Sequence, residues 1–143
     1  LSGLRWSDIQ KLTWSDVQHS KEIGHYIRFK QKKTKGAETL PISDQALEFL
    51  GTRASPTDKV FIGLKYSTWN NIKLQQWVMR AGITKSISFH CARHTYATLQ
   101  LTLGTDIYTV SKMLTHKNVS TTQIYADLVN AKKRETANKI SLK

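Results

Sequence analysis

The segment "SFHCARHTYATLQLTLG", residues 88–104, decides how the chain is read. Phe89, Ala92, Tyr96, Leu99 and Leu103 recur at spacings of 3, 4, 3 and 4, which predicts a helix with those five on one apolar face. Gly104 stands where such a helix would stop. His90 and Arg93, three apart, then fall together along the edge of that face. An edge position lets a polar side chain reach into a cleft while its stem packs.

Outward from this helix the chain reads as helical from Ser67 onward, with Gly82 as a second stop. Ser43, Ser67 and either Thr105 or Asp106 are expected N-caps. "SDIQ" (Ser7 to Gln10) and "STTQ" (Ser120 to Gln123) match the capping box, in which Ser and Gln satisfy each other's free N–H groups. Upstream, "GHYIRFK" and "AETLPIS" are rich in β-branched and aromatic residues, and the lysine-rich "QKKTKG" joins them. That pattern predicts a hairpin with a basic tip, with "WSDV" near Val17 supplying a third strand. The expected fold is α+β and mainly α, a helical domain with a small antiparallel sheet near its N-terminal end. No internal repeat is visible. With 143 residues and only 7 Gly and 2 Pro, the chain reads as one domain over 1–143 with a real core.

Charge narrows the function. There are 22 Lys+Arg against 10 Asp+Glu, a formal net charge of +12, which points to a polyanion and most often to nucleic acid. The single cysteine, Cys91, excludes an internal disulfide and a multi-cysteine zinc site, and fits a reducing compartment. No apolar run reaches membrane-spanning length and no signal peptide is visible. Leu1 opens the chain inside what reads as a structured motif, so a longer parent is expected.

A phosphodiester under attack gains negative charge on its non-bridging oxygens. Arginine suits them because its planar fork donates parallel hydrogen bonds, provided that the donors are fixed beforehand. The leaving 5′ oxygen needs a proton, and a tyrosine nucleophile with a pKa near 10 needs help to lose one. The chain carries each part: Arg5 before a helix start, His90 and Arg93 on one helix edge, His116 before a short helix, Tyr125 nine residues later, and Lys33 in the hairpin tip. Spacing alone does not bring them together.

In order, "SGLRWSDIQKLTWSDV", "QKKTKGAETLPIS", "HCARHTYATL" and "LTHKNVSTTQIYADL" resemble the four signature blocks of the tyrosine recombinase (phage-integrase) family, over nearly all of Leu1 to Leu128. The resemblance implies the catalytic domain of a site-specific DNA recombinase of the DNA breaking-rejoining type, from a bacterial phage or mobile element. It implies that Arg5 is the first catalytic arginine and that Asp8 helps order the site. Lys33 is implied as the general acid, with Lys32 and Lys35 close enough to compete for that role. His90 and Arg93 match the His-x-x-Arg box, His116 the second phosphate-contacting position, and Tyr125 the nucleophile. Neither metal nor other cofactor is implied, since bond energy is kept in a 3′-phosphotyrosyl link. Implied partners are double-stranded DNA, a homotetramer on DNA for the full-length protein with this fragment monomeric, and accessory DNA-bending proteins. The implied setting is the bacterial cytoplasm, on the nucleoid and away from membranes.

Two departures stand out. Thr115 occupies the family's usual glycine in Leu-Gly-His and is expected to alter the turn slightly, because glycine tolerates unusual backbone angles. Ala92 stands where the box usually has leucine. The family's N-terminal DNA-clamping domain is absent, so the fragment alone is not expected to recombine DNA.

Plainer readings stand beside these. Tyr125 with Ile124 and Leu128 makes a small apolar face, and His90 with His94 has helical metal-pair spacing but no acidic third ligand nearby. Cys91 reads as a small buried apolar residue, and Trp6, Trp14, Trp69 and Trp77 as packing residues. Lys30, Lys32, Lys33 and Lys35 read as a solvated turn or as contacts to the DNA backbone. "NAKKRETANKI" reads as a basic amphipathic helix, which closes the domain or, as in the family, packs on a neighbouring protomer. Two other functions fit the composition: a type IB topoisomerase-like nicking-resealing enzyme, and a non-catalytic basic DNA-binding module.

Overall fold

The structure is a computed structural model that describes residues 1–30, 37–129 and 136. Its helices are α1 (Trp6–Ile9), α2 (Asp44–Glu48), α3 (Thr68–Arg80), α4 (Phe89–Thr102), α5 (Ile107–Met113) and α6 (Ser120–Leu128), and its strands β1 (Val17–Ser20), β2 (Gly24–Lys30) and β3 (Ala37–Pro41). The strands form one antiparallel sheet in the order β1-β2-β3. Register places Val17 opposite Ile27 and Ile27 opposite Leu40. These three lie in one row across the sheet and are all buried, as a period-2 apolar pattern requires of a sheet with one covered face. Arg53 ties the sheet to the chain before it, donating to the carbonyls of Val17 and Trp14 at 3.0 Å each.

A second core joins the C-terminal helices. Ala97 and Leu101 of α4, Val110 of α5, Leu114 just beyond it and Tyr125 of α6 form one buried cluster. No helix among the described residues is long and apolar enough to cross a membrane.

Several local expectations hold. Ser43, Ser67 and Asp106 cap α2, α3 and α5, accepting from Ala46 N at 3.2 Å, Asn70 N at 3.2 Å and Thr109 N at 2.9 Å. Gly82 and Gly104 follow the ends of α3 and α4 with positive φ. Both capping boxes fail. α1 begins two residues early, after Arg5, whose carbonyl accepts from Asp8 N and Ile9 N, so Ser7 is already helical. α6 is entered through a turn that starts at Asn118, with Thr121 N donating to Asn118 O, so Ser120 is helical too.

The face of α4 also differs from expectation. Leu99 is 55 % and Leu103 81 % exposed, whereas Arg93, Ala97 and Leu101 are buried. Arg93 lies at the centre of the packed face, not at its edge. The anchoring of its guanidinium, described below, selects that face, and the small Ala97 lets the neighbouring elements close over it. Cys91 is half-buried, and its sulfur accepts from Ser88 N–H at 3.4 Å, so it serves the helix entry and not the core. Trp14 is buried, but Trp69 and Trp77 are 63 % and 69 % exposed, with the Lys73 ammonium over the Trp69 ring. Between residues 68 and 128 the chain is helical except at 81–88, 103–106 and 114–119, and most of "NAKKRETANKI" lies outside the described residues.

Candidate active site

The site is built around Arg93. This side chain is 4 % exposed, and one of its terminal nitrogens donates to Gly3 O at 2.6 Å while the other donates to Leu114 O. One guanidinium therefore pins three stretches that lie far apart in sequence: the N-terminal segment, α4 and the end of α5. A guanidinium has five N–H donors, so the Nε proton and one proton on each terminal nitrogen remain available.

Gly3 makes this arrangement possible. Its φ is +63°, in the left-handed region, and an added Cβ would lie 2.5 and 2.9 Å from the Tyr96 ring and 3.1 Å from a Leu114 methyl group. Only glycine lets the segment lie so close to α4. Two residues later Arg5 caps α1 from extended backbone and reaches Thr115 Oγ1 at 3.5 Å. The Thr115 hydroxyl donates to Leu114 O at 2.6 Å, the carbonyl that also receives Arg93. Thr115 has φ +54°, the one non-glycine residue with positive φ among the described residues. The turn thus keeps the left-handed shape that suits glycine even though a β-branched residue occupies it.

His116 follows. Its Nδ1 lies 2.8 Å from Oγ1 of Thr122, and its backbone N–H donates to Ser111 O at 2.9 Å. Tyr125 is 4 % exposed and packs in the helical core with Ala97, Leu101, Val110 and Leu114, while Ile124 faces outward. Its ring centroid is 5.3 Å from that of His94, which is 4.5 Å from that of His90. His94 therefore stands between His90 and the tyrosine. Among the described residues no three metal-ligating side chains come together, around this pair or elsewhere.

The electrostatics show that these groups share one space. Burial first, then the Arg5 charge, pulls the Arg93 pKa down to about 10, with Tyr125 and Asp8 acting the other way; Arg93 remains charged at neutral pH. Burial, then Arg93 and Arg5, pull His116 down to about 4, so its ring is neutral there. His90 is lowered by burial, then by His94, Arg93 and Arg5. Burial raises the Tyr125 hydroxyl, against the pull of Arg93. Neither arginine has a carboxylate at ion-pair distance among the described residues. Two guanidiniums held near each other without a neutralising carboxylate make a place for an anion.

A sequence model of the Phage integrase family matches residues 1–132. The chain belongs to the phage integrase family. This integrase-family chain is 32 % identical over 146 residues to a tyrosine recombinase of Pseudothermotoga lettingae, an alignment covering 96 % of the chain and 50 % of that relative. It thus spans about half the length of the curated relatives it matches. The crystal structure of XerA recombinase matches with a TM-score of 0.74 at 26 % identity, over 99 % of this chain and 54 % of that one. The XerH site-specific recombinase, bound to palindromic difH substrate in a post-cleavage complex, shares the fold with a TM-score of 0.71 at 18 % identity, over 96 % of this chain and 42 % of that one.

Of the expected site residues, Arg5, Asp8, His90, Arg93, His116 and Tyr125 are brought together. Lys33, Lys32 and Lys35 lie outside the described residues, and Lys30 closes β2. Sequence reasoning missed Gly3, the Thr115 hydroxyl as a partner of Arg5, and Thr122. The departure from glycine at Thr115 was the sequence signal for the second of these.

Proposed function

We propose that this chain is the catalytic domain of a site-specific DNA recombinase with Tyr125 as its nucleophile. The observation that carries the reading is the anchoring of Arg93 on Gly3 O and Leu114 O, which gathers Arg5, Arg93 and His116 beside Tyr125. In the proposed reaction a DNA phosphate sits in this cradle. The free N–H groups of both arginines and the His116 ring donate to its non-bridging oxygens and stabilise the charge that grows there.

The Tyr125 oxygen attacks phosphorus, and the bond to the 5′ oxygen breaks. His90 helps to remove the tyrosine proton. The leaving oxygen takes a proton from the hairpin lysine, with Lys33 the first choice. The products are a 3′-phosphotyrosyl link and a free 5′ hydroxyl. A 5′ hydroxyl from a second strand then attacks the link and frees Tyr125. One ester replaces another at each step, so the sequence needs no external energy source.

DNA as the substrate is supported by the net charge of +12 and by the DNA-bound state of XerH. Exchanging both strands of two duplexes needs four nucleophiles, which supports a tetramer on DNA, working at the nucleoid. The named relatives are recombinases, so the reading is recombination at a defined site. The phage or mobile-element role that the family resemblance suggests is supported by the catalytic domain of bacteriophage HP1 integrase, which matches at 26 % identity with a TM-score of 0.63.

The test uses nicked duplexes of randomised sequence, in which cleavage releases a short strand and traps the adduct. The chain should form a denaturant-stable DNA adduct that peptide mapping places on Tyr125, and Tyr125→Phe should form none. An adduct on another residue, or none from the unaltered chain, would refute the proposal.

A further inference from the structure

If the site works as proposed above, His116 must offer an N–H to the phosphate, and the following rests on that reading. The neutral imidazole has one proton, on either nitrogen. Which nitrogen carries it follows from the hydrogen-bond network. His116 Nδ1 is 2.8 Å from the Thr122 hydroxyl, and Thr122 is fully buried. That hydroxyl has no other hydrogen-bond partner among the described residues.

Two arrangements are open. If Nδ1 held the proton, it would donate to Thr122 Oγ1, and the hydroxyl proton would be left buried without an acceptor. If the hydroxyl donates to Nδ1, both groups are satisfied and the imidazole proton resides on Nε2. Only the second arrangement leaves His116 with a donor for a phosphate oxygen. The first would turn a lone pair towards the anion.

Thr122 also sits one turn ahead of Tyr125 on α6, and both residues are buried. The hydroxyl that sets the His116 ring thus arrives on the helix that carries the nucleophile. We propose that Thr122 is a positioning residue: its buried hydroxyl donates to His116 Nδ1, holds the ring in the Nε2–H form, and makes the phosphate donor ready only when α6 is docked. Phosphate binding and presentation of the nucleophile are thereby coupled through one hydrogen bond.

Long-range ¹H–¹⁵N NMR of the labelled chain at pH 7 reads the tautomer directly. The expected spectrum shows Nε2 protonated and Nδ1 not. Thr122→Val, close in shape, should give a tautomer mixture and slow adduct formation on the nicked duplexes by about tenfold or more, the usual effect of losing a residue that orients a working histidine. Thr122→Ser keeps the hydroxyl and should restore both readouts. A wild-type spectrum with the proton on Nδ1 would overturn the inference, and it does so even if Thr122→Val fails to fold. So would a folded Thr122→Val variant with an unchanged tautomer and rate. The two readings separate cleanly: a Tyr125 adduct with the wrong tautomer sinks only the role of Thr122, whereas absence of the adduct sinks the proposed reaction.

Discussion

Replacing Gly3 with alanine should damage both stability and chemistry. The new Cβ would stand 2.5 Å from one Tyr96 ring carbon, well inside contact distance, and Tyr96 is held by the packing of α4. Relieving such an overlap in a packed region costs about 1–3 kcal/mol. Alanine at φ +63° adds roughly 1–2 kcal/mol of backbone strain. The sum is about 2–5 kcal/mol, a large part of the stability of a domain this size. Detachment of residues 1–3 would relieve the overlap and bring the loss to the low end of that range. It would also strip Arg93 of its Gly3 O acceptor, so adduct formation should fall in either case. Urea unfolding of Gly3→Ala beside wild type gives the free energy from the shift in midpoint at constant slope. A loss below about 0.5 kcal/mol, within the range of ordinary surface changes, together with normal adduct formation, would show that Gly3 does not hold the site as argued.

Other outcomes follow from the same geometry. Thr115→Gly should stabilise the chain by roughly 0.5–1 kcal/mol, because release of left-handed strain exceeds the added unfolded-state entropy; a lower melting temperature would contradict this. Arg93→Met keeps an apolar stem but orphans Gly3 O at about 1–3 kcal/mol and leaves Leu114 O with the Thr115 hydroxyl as its partner, and adduct formation should drop by about 10² or more. A folded Arg93→Met variant with wild-type cleavage would refute the role of Arg93. Acid should weaken the fold. An unfolded histidine takes up its proton near 6.5, and folded His116 only near about 4, so stability present above 6.5 is lost as pH falls through that window. The full 2.5-unit difference corresponds to about 3 kcal/mol, an upper bound because His116 is only partly buried. His90 contributes in the same direction. In urea titrations across pH 4–7, His116→Gln should flatten the slope, and an unchanged slope would count against the account.

What could be read from sequence was local. Ser43, Ser67 and Asp106 announce their helices because a cap needs only a short side chain and the next backbone N–H groups. The hairpin strands announce themselves through two short runs with β-branched and aromatic residues on either side of a lysine-rich connection. The site residues were legible as types in order, since phosphate chemistry restricts which side chains can serve. Their support was not. Gly3 is ninety residues from Arg93, and nothing near it signals a close approach to Tyr96. The face of α4 was misread because Phe89, Leu99 and Leu103 keep helical period as well as Arg93, Ala97 and Leu101 do. Periodicity cannot weigh a buried guanidinium anchored on two distant carbonyls. Ser7 and Ser120 failed as caps because the turns that open α1 and α6 begin earlier, on the carbonyls of Arg5 and Asn118.

The proposed chemistry requires that Arg5, Arg93 and His116 address one anion beside Tyr125. The most direct measurement is a crystal structure of the chain soaked with tungstate, a heavy phosphate-like oxyanion whose position is read from its own scattering. The predicted result is one ion at roughly 3 Å from donors on all three side chains, with the Tyr125 hydroxyl on its open side. An ion bound elsewhere, or arginines that point to separate surfaces, would contradict the account and leave Tyr125 as a core aromatic.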